Sequence, residues 1–147
     1  LDMGINHAQI HRKIYDTYSF GRLQLLGKAI TNLVKVEPLR AVYITLSQDE
    51  LNQCGFKKGD TEGFVNYGLS LDGIELAIIM IENTQESIVK MSFRSKGTFN
   101  VNEFARKHFN GGGHYNAAGG ASFESLEVTK EKVHQTILEY KDQLSSI

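Results

Sequence analysis

A single cysteine, a single proline and almost no net charge set the first limits on this 147-residue chain. Cys54 alone can make neither an internal disulfide nor a cysteine-rich zinc site, so a reducing, cytoplasmic setting is expected. The longest apolar run, Leu76–Ile81, is far short of the roughly 20 residues that span a bilayer, and no membrane partner is expected. Leu1 and Asp2 are followed by no apolar h-region, so no secretory leader is expected, and a start without Met suits a piece of a longer protein. Linkers, repeats and low-complexity tails are missing. So are Asp-His-His, Asp-x-Asp and His-Glu-x-x-His clusters, so no metal site and no two-metal hydrolytic centre is expected in this chain. Nothing resembles a nucleophile elbow, which leaves a Ser/His/Asp triad without support. A formal net charge of -1 argues against a surface coated in positive charge for duplex binding.

What is present describes a globular domain. With 41% hydrophobic and 22% charged residues, the chain has the composition of one ordinary folded unit. Asn6 and Gln9 have N-cap and N3 spacing, with Ile5 and Ile10 as a hydrophobic staple, and Ile10, Ile14 and Tyr18 continue a first helix. Gly21 is expected to interrupt the pattern. Leu23, Leu26, Ile30 and Leu33 then form a second apolar stripe that ends before Pro38. Strands are predicted at Arg40–Leu46, at the continuous apolar run Ile74–Glu82 and at the alternating Ile88–Arg94, with a last one at Ala121–Phe123. In Ile88–Arg94, Val89, Met91 and Phe93 point one way, and Lys90, Ser92 and Arg94 the other. Short helices are predicted at Gln48–Cys54 and after Asp60, which is expected to cap a turn carrying Glu62, Phe64, Val65, Asn66 and Tyr67. Asn100 and Glu103 open another helix with Val101, Phe104, Ala105 and Phe109 on its apolar face. The final helix presents Val133, Ile137, Tyr140 and Leu144. Alternating strands and helices predict an α/β fold, a mixed sheet flanked by helices.

Two stretches carry chemistry. Five of the fourteen glycines fall within Gly111–Gly120, a cluster whose backbone entropy cost needs a reason. Gly111, Gly112 and Gly113 leading into a helical turn would aim backbone N–H groups at a phosphate, with His114 adding a hydrogen bond or a charge. A plain helix C-cap and turn is the competing reading. The second stretch is Ser92-Phe-Arg-Ser-Lys96, where Ser92 and Arg94 share a strand face and Ser95 and Lys96 are expected in the turn. Guanidinium, ammonium and hydroxyl groups at a strand end suit a phosphodiester, against the alternative of a merely solvated end. The near-zero total charge hides an asymmetry. Lys90, Arg94, Lys96, Arg106 and Lys107 stand against the single acid Glu103 between Lys90 and His114, whereas Glu37–Val89 holds three basic and nine acidic residues. His7 and His11 have zinc-compatible spacing, but with no third ligand near they read as surface residues. His108 reads as helix-end packing and His134 as solvated helix surface. Tyr67, Tyr115 and Phe109 could serve as stacking platforms of a non-catalytic single-strand nucleic-acid module, although periodicity puts Phe109 in a core.

Gly111–His114 followed by Asn116-Ala-Ala-Gly119 resembles the GGGH…AAG signature of the DHHA1 domain, the C-terminal half of DHH-family phosphoesterases. Asp60-Thr-Glu-Gly-Phe-Val-Asn66, Ser92-Phe-Arg-Ser-Lys96 and Asn100-Val-Asn-Glu-Phe-Ala105 resemble the branch of bifunctional oligoribonucleases, also described as 3′-phosphoadenosine 5′-phosphate phosphatases. The likeness covers residues 20–145. It implies a DHHA1 substrate-binding domain at 20–147, preceded by a helical connector at 1–19 from an N-terminal DHH domain of the same parent protein. It implies that two manganese ions are held by that absent DHH half, with no cofactor bound and no catalytic residue in this chain. Gly111, Gly112, Gly113 and His114 match the family's phosphate-gripping loop, continued by Asn116. Arg94 with Ser92, Ser95 and Lys96 matches the neighbouring basic motif, and Glu62 and Asn66 match an acidic-Gly motif. The implied ligand is short single-stranded RNA or a 3′-phosphonucleotide, and a homo-oligomer is compatible with the pattern. Related enzymes cleave polyphosphate or pyrophosphate, and a glycine-plus-arginine grip would read either.

Overall fold

In the computed structural model, which describes residues 19–145, the Ser19 hydroxyl accepts from Arg22 N and opens α1 (Phe20–Thr31). The predicted helix from Asn6 to Tyr18, with His7 and His11, lies outside the described residues, as does the 1–19 connector apart from its last residue. Gly21 does not interrupt α1. A Cβ there would stand 2.1 Å from the Cys54 carbonyl oxygen, so glycine is what lets the two backbones meet. The core face of α1 is Leu25 and Ala29, flanked by Leu26. Leu23 and Ile30 of the expected stripe are largely exposed, one helical step out of phase.

Two residues of β1 (Val34–Lys35) pair antiparallel with β2 (Ala41–Leu46). Ser47 then caps α2 (Gln48–Gln53) through a full capping box with Glu50. The second short helix, α3 (Phe64–Leu69), starts from Gly63 in the left-handed conformation and not from Asp60, whose carboxylate instead accepts from Lys57 N at 2.9 Å. The turn before α3 is tied down by Arg22, which donates to the carbonyls of Gly59, Asp60 and Glu62 and lies over the Phe64 ring. The chain re-enters the sheet as β3 (Leu76–Asn83), parallel to β2, and turns back as β4 (Ile88–Ser95). The crossover from β2 to β3 thus carries α2 and α3, as a parallel connection requires.

After β4 come α4 (Val101–His108), a two-residue β5 (Gly112–Gly113), β6 (Ala117–Ser122), α5 (Leu126–Glu139) and α6 (Lys141–Leu144). One mixed six-stranded sheet results, in the order β1-β2-β3-β4-β6-β5. The expected last strand at Ala121–Phe123 begins earlier, at Ala117, ends at Ser122, and takes in the last four residues of the glycine-rich segment. Its own composition is a poor strand former. Pairing with β4 along its whole length holds it extended.

The two faces of the sheet are unequal. One face packs Tyr43, Ile78, Met80, Met91, Phe93 and Ala118 beneath α4 and α5, with Phe104 and Phe109 filling the centre. The other face packs Val42, Ile44, Ala77 and Ile79 beneath α1, α2 and α3. That second cover reaches only β2, β3 and the near side of β4. His108 packs at the end of α4 as expected, with its Nε2 2.8 Å from the Tyr140 hydroxyl. His134 is not solvated helix surface: it is half-buried, with Nδ1 3.0 Å from the Tyr43 hydroxyl. No described helix is long and apolar enough to cross a membrane.

Candidate functional site

Alternation along β4 sets Lys90, Ser92 and Arg94 on the sheet face that carries α1–α3, at the edge of their cover. Across the ladder these three pair with Ala121, Gly119 and Ala117 of β6. A row of polar side chains thus borders a strand whose side chains are a methyl group or nothing. The outcome is a shallow trough, with β4 as one wall and β6 as a bare floor.

Arg94 is half-buried in this wall. Its Nη1 donates to the carbonyls of Phe93 (2.9 Å) and Ala118 (3.3 Å), which draws the guanidinium over β6. Among the described residues no carboxylate pairs with it, and Nε and Nη2 have no protein partner. A guanidinium held by two carbonyls, with two N–H edges unspent, is a prepared receptor for an oxyanion. The Ser92 hydroxyl, on the same face, is likewise without a protein partner.

The glycines reach the site differently from the sequence expectation. Gly111–Gly113 do not lead into a helical turn; they leave the C-terminal end of α4 and form β5, hydrogen-bonded to β6. Part of the cluster is explained by packing. A Cβ on Gly111 would lie 1.9 Å from the Gly119 carbonyl oxygen, and one on Gly120 would lie 2.6 Å from the Phe109 carbonyl oxygen. Gly119 is the exception: a Cβ there would meet only Met91 O, at an ordinary 3.5 Å. Folding alone does not demand glycine at that position, and the space above it opens into the trough.

His114-Tyr115-Asn116-Ala117 makes the tight turn of the β5–β6 hairpin, with His114 N donating to Ala117 O at 2.7 Å. Arg94 and His114 therefore flank Ala117 from opposite sides, two strand spacings or about 9.5 Å apart. The His114 ring is exposed and has no hydrogen-bond partner among the described residues. The turn is fixed to the 96–100 loop. Tyr115 donates its hydroxyl proton to Thr98 O, and Asn116 donates to Ser95 Oγ at 2.9 Å.

The sheet register puts Ser92, Gly119 and Gly112 on one rung and Arg94, Ala117 and His114 on another, with Lys96 exposed beyond the strand end, while Gly113 lies on the rung of Phe93 and Ala118 between them. Ser95 is separated from them. It is the last residue of β4, not a turn residue, and is buried, giving its proton to Phe99 O and accepting from Asn116. Its work is to hold the loop. Asn116 is likewise committed to that loop. Glu62 sits on the Arg22-tied turn and Asn66 on the exposed side of α3. One supporting residue escaped the sequence reading. Asn102 Oδ1 accepts from Gly113 N (2.8 Å) and from Arg106 Nε (3.0 Å), clipping β5 to α4. Its only sequence trace is the i, i+4 spacing with Arg106. Of the stacking candidates, Phe109 is 1% exposed, whereas Tyr67 and Tyr115 are each 48% exposed, the latter anchored through its hydroxyl. Among the described residues no three His, Cys, Asp or Glu side chains converge to hold a metal ion, so these residues do not fit the manganese pair.

Comparison with known proteins follows this geometry. The sequence model of the DHHA1 domain matches residues 40–141. No curated protein matches the chain. Among solved structures, an exopolyphosphatase-related protein from Bacteroides fragilis is 36% identical with a TM-score of 0.85, covering 95% of this chain and 41% of its own. A pGpG-specific phosphodiesterase from Vibrio cholerae shares the fold at 13% identity and a TM-score of 0.60, over 92% of this chain and 44% of its own. The chain thus spans about two fifths of the length of either structure. With the family pattern running from the start of β2 to the foot of α6, the chain belongs to the DHHA1 domain family.

Proposed function

We propose that this chain is the substrate-gripping domain of a phosphoesterase, holding a phosphate of a short oligoribonucleotide or of 3′-phosphoadenosine 5′-phosphate in the β4–β6 trough. The observation that carries this reading is Arg94: half-buried, paired with no described carboxylate, and beside a floor of alanine and glycine. Arg94 binds the phosphate through its two free edges. Ser92 donates a neutral hydrogen bond beside it, and His114 approaches from the hairpin turn. A DHHA1 domain usually accompanies an N-terminal DHH domain. In this reading such a companion forms the opposite wall and carries the bond-breaking groups, while Arg94 and His114 orient and neutralise the substrate.

Arg94→Ala is expected to weaken binding of 3′-phosphoadenosine 5′-phosphate at least ten-fold, in line with about 1.5–3 kcal/mol for a hydrogen bond to a charged group. Arg94→Lys is expected to recover only part of it, because an ammonium keeps the charge and loses the fork. Calorimetric or NMR titration measures both. Unchanged affinity in Arg94→Ala would remove the reading.

A second reading, polyphosphate or pyrophosphate as ligand, is favoured by the 36% identical relative, itself described as exopolyphosphatase-related. The trough senses charge through Arg94 and serves either ligand. Competition between tripolyphosphate and a dinucleotide for the wild-type chain separates them.

A further inference from the structure

The trough does not end at Arg94. Lys90 lies four residues back along the same face of β4, roughly 13 Å away at the rise of a strand. The floor stays bare over this length, because Ala117, Gly119 and Ala121 accompany Arg94, Ser92 and Lys90 in turn. At the far end opens a cavity of about 510 Å³, between α2, the following turn and the β3–β4 hairpin. Phe56, Lys58, Ile81, Glu82, Glu86 and Lys90 contribute to its lining. This volume is in the range of small-molecule sites.

Its chemistry differs from that of the Arg94 end. Two lysines and two glutamates cancel, so nothing there selects a phosphate over a neutral group. Glu82 is committed to Gln48 N at 2.8 Å. The Phe56 ring is 38% exposed and offers an open face. A neutral hollow with an accessible aromatic ring suits a nucleobase. Lys90 Nζ is 3.4 Å from the Glu86 carboxylate, with both side chains more than half exposed. Such a pair is weak, and a passing phosphate can draw the lysine away.

We infer that this cavity is a second subsite, which takes a nucleobase of an oligonucleotide whose phosphate is held at Arg94, with Phe56 as stacking partner and Lys90 meeting an intervening phosphate. The inference rests on the Arg94 reading above and adds a substrate length to it. The roughly 13 Å between the two ends is more than the rise of about 3.4 Å between neighbouring stacked bases, so reaching both ends takes an oligonucleotide. A mononucleotide occupies the Arg94 end alone.

NMR titrations of the full chain with 3′-phosphoadenosine 5′-phosphate and with an adenylate tetranucleotide test it, on wild type, Phe56→Ala and Lys90→Ala. The mononucleotide is expected to shift signals near Arg94 and Gly119 equally in wild type and Phe56→Ala, which also reports that this variant is folded. The tetranucleotide is expected to shift Phe56 and Ile81 as well, and to bind about ten-fold more weakly to Phe56→Ala. Tetranucleotide shifts confined to the Arg94 end, or equal tetranucleotide affinity in all three proteins, would overturn the second subsite and leave the Arg94 reading intact. No response at Arg94 to either ligand would remove both.

Discussion

At the scale of single residues, Gly111 and Gly119 separate two reasons for a glycine. Gly111 is required by packing, since any side chain would strike the β6 backbone. Gly119 is not, and its missing side chain leaves the trough open beside Arg94. Gly111→Ala is expected to cost about 1–3 kcal/mol in a denaturant titration. Gly119→Val is expected to stay within about 0.5 kcal/mol of wild type and yet to weaken phosphonucleotide binding at least ten-fold. A valine that left binding unchanged would mean that the space above Gly119 is not occupied by ligand. No spacing rule distinguishes these two glycines in the sequence, because the difference lies in which backbone passes above each.

His108 gives a pH prediction at the same scale. Burial lowers its pKa from the ordinary 6.5, Lys107 and Lys132 reinforce this, and Glu139 opposes it without prevailing. The unfolded chain therefore takes up a proton that the folded chain resists, and stability falls as pH drops below 6.5 and on through the lower folded value. His108→Gln is expected to flatten the urea midpoint in that window. Glu50 acts in a separate, more acid window. Burial pushes its carboxyl up, but hydrogen bonds from Ser47 and Asn32 and the nearby Lys28 outweigh it and hold the pKa below 4.5. Its contribution is present above 4.5 and is lost as pH falls through the lowered value.

At the scale of elements, the site depends on how the β5–β6 hairpin is held. Asn102 clips Gly113 N to α4, while Ser95, Thr98 and Asn116 tie the turn to the 96–100 loop. Asn102→Ala is expected to speed amide exchange at Gly113 and to cost about 1 kcal/mol of stability, with less effect on amides in the centre of β3. The elements that rest on their own pattern were legible in the sequence. β3 announced itself as a continuous apolar run, β4 as an alternation that already grouped Lys90, Ser92 and Arg94, and α4 as an amphipathic helix capped at Asn100. β6 was misread because Ala-Ala-Gly-Gly-Ala-Ser has neither alternation nor β-propensity, and it is a strand because β4 pairs with it. The phase of α1 was missed for a related reason. Its apolar residues go all round the helix, with Phe20, Leu23 and Ile30 exposed and Leu25 turned to the sheet, so periodicity alone does not fix the face. Arg94 and His114 were singled out from residue type, whereas the buried tether role of Ser95 and the clip at Asn102 exist only in three dimensions.

At the scale of the whole molecule, the two sheet faces have different duties. The face under α4 and α5 is closed by an aromatic cluster of Phe93, Phe99, Phe104 and Phe109 and gives the domain its stability. The opposite face is closed over β2, β3 and the near side of β4, and its other half carries Arg94 beside the bare strand β6. This arrangement also resolves the charge paradox of a protein that carries a net charge of -1 and is read as a phosphate binder. The acidic residues belong mainly to the middle of the chain, and no described carboxylate pairs with Arg94. The chain spans 41% of the length of its 36% identical relative.

The measurement that tests this account most directly is an NMR map of the full chain titrated with 3′-phosphoadenosine 5′-phosphate. The expected result is a continuous patch of shifts over Arg94, Gly113, His114 and Gly119, with the Arg94 guanidinium signal among them. Shifts that leave those residues still and gather instead around the separate cavity lined by Thr98, Glu103, Lys107 and Tyr140 would contradict it.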